Sequence, residues 1–119
     1  MNCLVWSGKS SIHDRSWGKE TTWPISKGRY CKIINLDKQS KILMNSSETR
    51  KNVLYLLQGA ITVNHLDEEN FETDQIAVTP GSFVTIEHGQ KCSIVPYVDS
   101  VIIAVSDYVA NFEDLDAQE

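Results

Sequence analysis

The 119-residue chain is poor in cysteine and proline, with three of each, and contains no CxxC pair. Cys3, Cys31 and Cys92 are odd in number and far apart, which argues against a disulfide framework or a paired-cysteine zinc knuckle. Reduced thiols in a cytoplasmic setting are the expectation. No apolar run approaches the length needed to span a bilayer, and the opening "MNCLVWSGKSS" has the pattern of neither a signal peptide nor an anchor. Bases are also scarce, 11 against 16 acids, giving a formal net charge of -5. That balance disfavours nucleic acid or an anionic membrane surface as partner, since both select a basic face. From Asp107 onward there is no base at all, only Asp107, Glu113, Asp114, Asp116 and Glu119. Residues 107–119 therefore read as an acidic, solvated C-terminal tail, in which "DYVANFEDL" could form a helical turn or two.

Helix-period segments are missing ahead of that tail. Short runs rich in Val, Ile and aromatics alternate instead with turn residues, the pattern of an all-β sandwich or barrel. "RYCKIINL", "KILMN", "NVLYLL", "AITVNH", "QIAV", "SFVTI", "KCSIV" and "SVIIAV" are the strand candidates. Gln58-Gly59 predicts a short hairpin, and Pro80-Gly81 a type II turn with positive φ at the glycine. The stretch "TPGSFVTIEHGQKCSIV" reads as strand, tight turn, strand, with His88 and Cys92 beside the turn. With 41% hydrophobic residues, residues 1–106 suffice for one domain with its own core, N-terminal arm included. "VLYLL" and "VIIAV" are apolar on both faces, so both faces should be covered, one by the opposing sheet and the other by "CLVW" or a second subunit. A homodimer is expected.

The turn spacing points to a family. Asn45 and Ser47 lie two apart, Asn52 five further on, and Gly59 seven beyond that. Gly81 is followed after six residues by Glu87, then by Gly89 and Cys92. This frame, over roughly residues 17–105, resembles the two cupin motifs, in which histidines and a glutamate occupy the spaced positions. "SWGKETTW" with "RYCKIINL", and Arg50 within "LMNSSETRKN", resemble more narrowly the cupins related to type II mannose-6-phosphate isomerase and mannose-1-phosphate guanylyltransferase. The resemblance implies a double-stranded β-helix, the cupin jelly-roll barrel. It also places the family's metal positions on Asn45, Ser47, Asn52 and Cys92.

Amide and hydroxyl oxygens with a single thiol are poor donors for the iron, manganese, zinc or nickel held by imidazoles and carboxylates in that family. Neither a metal nor another cofactor is therefore expected. If the frame holds, Asn45, Ser47 and Asn52 point inward beside Leu54 and Leu56, either bonding one another or binding the hydroxyls of a small ligand. Cys92 reads as a small buried hydrophobe or a wall of the same site. The resemblance implies a role for Arg50 in holding an anionic substrate; with Lys41, Lys51 and Lys91 it is equally a surface base. Trp6, Trp17 and Trp23 read as core or interface anchors, one of which could stack on a sugar ring.

Two enzymatic alternatives stand beside a non-catalytic module that binds a small polar or sugar-like molecule. A metal-independent sugar isomerase or epimerase would draw its base from Tyr55, His65 or His88. An unorthodox metal site would pair Cys92 with His88 or His65. His13 falls ahead of the barrel, where nothing ties it to a pocket.

Overall fold

The computed structural model describes residues 8–26, 29–45 and 50–108. The N-terminal arm with Cys3 and Trp6, Ser47, and the tail beyond Tyr108 lie outside the described residues, as do the side chains of Asn45 and Arg50.

The described residues form ten strands. In chain order they are β1 (Ser11–Arg15), β2 (Gly18–Ser26), β3 (Arg29–Leu36), β4 (Ile42–Asn45) and β5 (Arg50–Gln58). Then follow β6 (Ile61–Leu66), β7 (Glu72–Val78), β8 (Phe83–Ile86), β9 (Lys91–Pro96) and β10 (Ser100–Tyr108). They form a six-stranded sheet in the order β1-β2-β3-β10-β5-β8 and a four-stranded sheet in the order β4-β9-β6-β7, with every pairing antiparallel. From β3 onward the chain mostly alternates between the two sheets. Such alternation is the jelly-roll solution to closing a β-sandwich.

This topology corrects the expected hairpins. β5 belongs to the larger sheet and β6 to the smaller, so Gly59 carries the chain across the sandwich. The turn between β8 and β9 is likewise a crossover. Glycine is required at the first of these bends: its φ is +106°, and an added Cβ would stand 2.2 Å from Ser100 Oγ. The predicted positive φ at Gly81 is present, at +91°.

The core lies between the two sheets. Leu54, Leu56, Ile94 and Ile102 are fully buried there, each contributing about 1.5–3 kcal/mol by leaving water. Leu36, Ile61 and Met44 pack into the same cluster. The vessel interior is thus filled along most of its length by aliphatic side chains. One charged set enters it. Glu20 of β2 and Lys32 of β3, both buried, form an ion pair at 3.1 Å, with Arg15 Nε 3.7 Å from the other carboxylate oxygen.

Candidate functional site

The smaller sheet brings a chemically mixed row to one end of the sandwich. Its register sets Met44 opposite Cys92, Cys92 opposite His65, and His65 opposite Asp74. On the facing wall, Asn52 pairs with Ser106 and with Ile86. Asn52 is buried, and its Oδ1 accepts a hydrogen bond of 2.5 Å from Ser106 Oγ.

Two of the cavities in this region divide the expected site. The inner one is only ≈20 Å³ and is lined by Asn52 and Ser106 together with Trp17, Glu20, Lys32 and Met44. That is room for about one water molecule. The outer one, ≈280 Å³, opens between the edge strands β7 and β8. Val63, Ile76, Val84, Ile86 and Cys92 supply its apolar walls, and His65, Asp74, Thr85, Glu87, Gln90 and Lys91 its polar groups. Asn52 and Cys92 therefore line different cavities. Asn45 ends β4 with its backbone paired to Lys91. Arg50 opens β5 opposite Tyr108.

Hydrogen bonds fix the rim of the outer cavity. His65 is half-buried, with Nδ1 2.7 Å from Thr73 Oγ1 and Nε2 2.6 Å from Gln90 Oε1. Lys91 Nζ donates to Asn70 Oδ1 at 2.9 Å, and Glu87 lies 3.8 Å from Lys51 Nζ. The turn that presents Glu87 and Gln90 is closed by Gln90 N donating to Glu87 O, with Gly89 at a φ of +76°. Burial pushes the Cys92 thiol up from 9.0 to about 12, so it is protonated at neutral pH.

These donors do not fit a transition ion. Met44 offers a thioether, Cys92 a protonated thiol, and Asn52 an amide oxygen already engaged by Ser106. Both nitrogens of His65 are occupied by neighbours. Among the described residues, no group of three or more His, Cys, Asp and Glu side chains could hold a metal ion.

The remaining candidates separate by position. Tyr55 and His88 are exposed and line neither cavity, so neither is placed to act as a base there. Trp17 is buried in the core, and Trp23 is half-buried on β2. Sequence reasoning missed Met44: Ile42 and Met44 are buried while Leu43 is exposed. It also missed Asp74, Gln90 and the Glu20–Lys32 pair. A signal for the last was present, since Lys32 falls on the same alternating face as Ile34 and Leu36.

No protein-family model matches the sequence, and neither does any curated protein. Solved structures do match. An RmlC-like cupin from Shewanella frigidimarina NCIMB 400 superposes with a TM-score of 0.69 at 14% identity, covering 93% of this chain and 95% of that one. The chain has the cupin fold. Ectoine synthase from P. lautus aligns with a TM-score of 0.71 at 10% identity, over 87% of this chain and 73% of that one. Bacillus subtilis oxalate decarboxylase, a protein with Mn(II) centres, aligns with a TM-score of 0.71 at 17% identity over 88% of this chain. The chain spans only 29% of the oxalate decarboxylase chain. At such identities the likeness concerns architecture, and the chemistry has to be read from the site.

Proposed function

We propose that this chain is a small cupin-fold binding module that takes a polar, sugar-like molecule in the outer cavity, without a transition ion. The observation that carries the reading is the cavity itself. At ≈280 Å³ it is near the lower end of ligand pockets, and its apolar walls and convergent polar rim suit the C–H face and hydroxyl edge of a monosaccharide. Cys92 forms part of the wall. Asn45, Ser47 and Arg50, on and around the β4–β5 connection, are proposed as further contacts, with Arg50 suited to a phosphate or carboxylate substituent. Asn52 supports the site from within through Ser106. The narrower likeness to sugar-phosphate cupins, carried by Arg50 and the β2–β3 segment, supports the choice of ligand class. Cys31 and Cys92 are both free thiols, which supports a reducing, cytoplasmic setting.

Titration of amide NMR spectra with monosaccharides, their phosphates and sugar acids tests the reading. Saturable shifts at Val63, Ile76, Thr85 and Gln90, abolished by Ile76→Trp, are expected. Shifts elsewhere, or none with any of the three classes, would refute it.

A second reading rests on Asp74 and Glu87, two carboxylates that line the same cavity and would give a sugar isomerase or epimerase its base. Solvent deuterium entering a sugar phosphate beside its carbonyl, and lost in Glu87→Gln or Asp74→Asn, would establish it over simple binding.

A further inference from the structure

The outer cavity has a neighbour. A second hollow of ≈350 Å³ adjoins it, and His65, Gln90 and Lys91 line both. Asp67, Glu68 and Gly89 line the second hollow but not the outer cavity. The His65 Nε2 contact with Gln90 Oε1, 2.6 Å long, therefore stands at their common boundary. Strand register explains the sharing. His65 and Leu66 of β6 lie opposite Cys92 and Lys91 of β9, and the chain runs straight on from Leu66 into Asp67 and Glu68. The β6–β7 ladder also shifts register between His65 and Leu66, an irregularity that re-aims the side chains beside it.

The wall of the second hollow is held before any ligand arrives. Asp67 N donates to Phe71 O, and Asn70 N donates to Asp67 O, both at 3.0 Å. Asp67 Oδ1 accepts from Glu69 N at 2.9 Å and Phe71 N at 3.0 Å. The Lys91–Asn70 hydrogen bond ties this turn to β9. A wall already ordered loses little entropy on binding. Among the described residues, Asp67 Oδ2 and the Glu68 carboxylate have no hydrogen-bond partner. The charged lining is thus two carboxylates against one ammonium, and Asn70 already engages that ammonium. Ionised carboxylates only accept, so they select hydroxyl donors and repel a phosphate or another carboxylate.

We propose, resting on the reading of the outer cavity as a sugar site, that the second hollow is a subsite for a second sugar ring without an acidic substituent. The ligand is then a disaccharide unit lying across the His65–Gln90 contact. Each hollow is near the lower end of the range for ligand pockets, about 300–1,000 Å³, so each suits one ring. The outer cavity supplies apolar walls for the first ring, and the second hollow supplies mainly acceptors for the hydroxyls of the next.

Calorimetry and amide NMR titration of the full chain with glucose, mannose and their 1,4-linked disaccharides test it. A disaccharide is expected to bind about tenfold or more tightly than its monosaccharide, with added shifts at Glu68 and Gly89. Glu68→Ala, at an exposed position outside the core, should bring the disaccharide down toward its monosaccharide and leave the monosaccharide unchanged. Digalacturonate should gain nothing over galacturonate. Amide spectra confirm that the variant is folded. Equal affinity for one ring and two, with the monosaccharide still seated in the outer cavity, overturns the subsite and leaves the outer site standing. A disaccharide gain that survives Glu68→Ala, or an equal gain for digalacturonate, also overturns it. Absence of binding by every sugar overturns both readings.

Discussion

Cys92 shows how one desolvated atom governs both chemistry and pH response. Its thiol is raised to about 12 by burial, and burial also raises that of Cys31. The unfolded chain releases these protons near pH 9 while the folded chain keeps them. Stability is therefore full below about pH 9 and falls as pH rises toward the folded value, by at most about 1.4 kcal/mol per pH unit for Cys92. Chemical denaturation of wild type and Cys92→Ala between pH 8 and pH 11 should give a shallower alkaline decline in the variant. With Cys3 replaced by Ser, the folded protein should resist thiol reagents at neutral pH and react only at its unfolding rate. The Asn52–Ser106 bond makes a second residue-level prediction. Ser106→Ala removes a buried partner of the amide and should cost about 1–3 kcal/mol by denaturant unfolding. At this scale the sequence was only partly legible. The inward place of Asn52 and the burial of Cys92 follow from spacing. His65 does not, because its partners Thr73 and Gln90 arrive from other segments of the chain.

At the scale of elements, close approaches and a buried charge pair hold the strands in register. Gly59→Ala would drive a Cβ into Ser100 at a backbone φ disfavoured for L-residues, a loss of about 2–4 kcal/mol measured as a lowered denaturation midpoint. Glu20→Gln leaves Lys32 Nζ buried beside a neutral group and should destabilise by about 3–5 kcal/mol. The paired replacement Glu20→Leu with Lys32→Met should recover much of that loss, and a double-mutant cycle measures how much. β3, β5, β6 and β10 were readable from the sequence, as runs rich in Val, Ile and Leu bounded by turn residues. The β1–β2 pair was not, because "SIHDRSWGKETTW" is too polar to announce a strand. β7 begins at Glu72, three residues ahead of the apolar "QIAV", since an edge strand tolerates acids that a central one would not. The direction of each turn was hidden for a different reason. Whether Gly59 closes a hairpin or a crossover depends on β8, β9 and β10, which are distant in sequence.

For the molecule as a whole, two sheets make a vessel whose inside is plugged and whose opening is not. Leu54, Leu56 and Ile94 close the interior, leaving ≈20 Å³ where Asn52 sits, while ≈280 Å³ stays open where β7 and β8 part. The fold was legible in the spacing of glycines and strands. The division of the expected site between two cavities was not, because it depends on which sheet each strand joins. Among the described residues there is no helix long and apolar enough to cross a membrane. The account turns on the donor set of Met44, Asn52, His65 and Cys92, in which the one imidazole has both nitrogens engaged and no member is a carboxylate. Elemental analysis of purified, untagged protein, prepared without chelators from cells grown with iron, manganese, zinc and nickel, tests that most directly. Far less than one metal ion per chain is predicted; one ion per chain that survives dialysis and is lost in Cys92→Ala would contradict it.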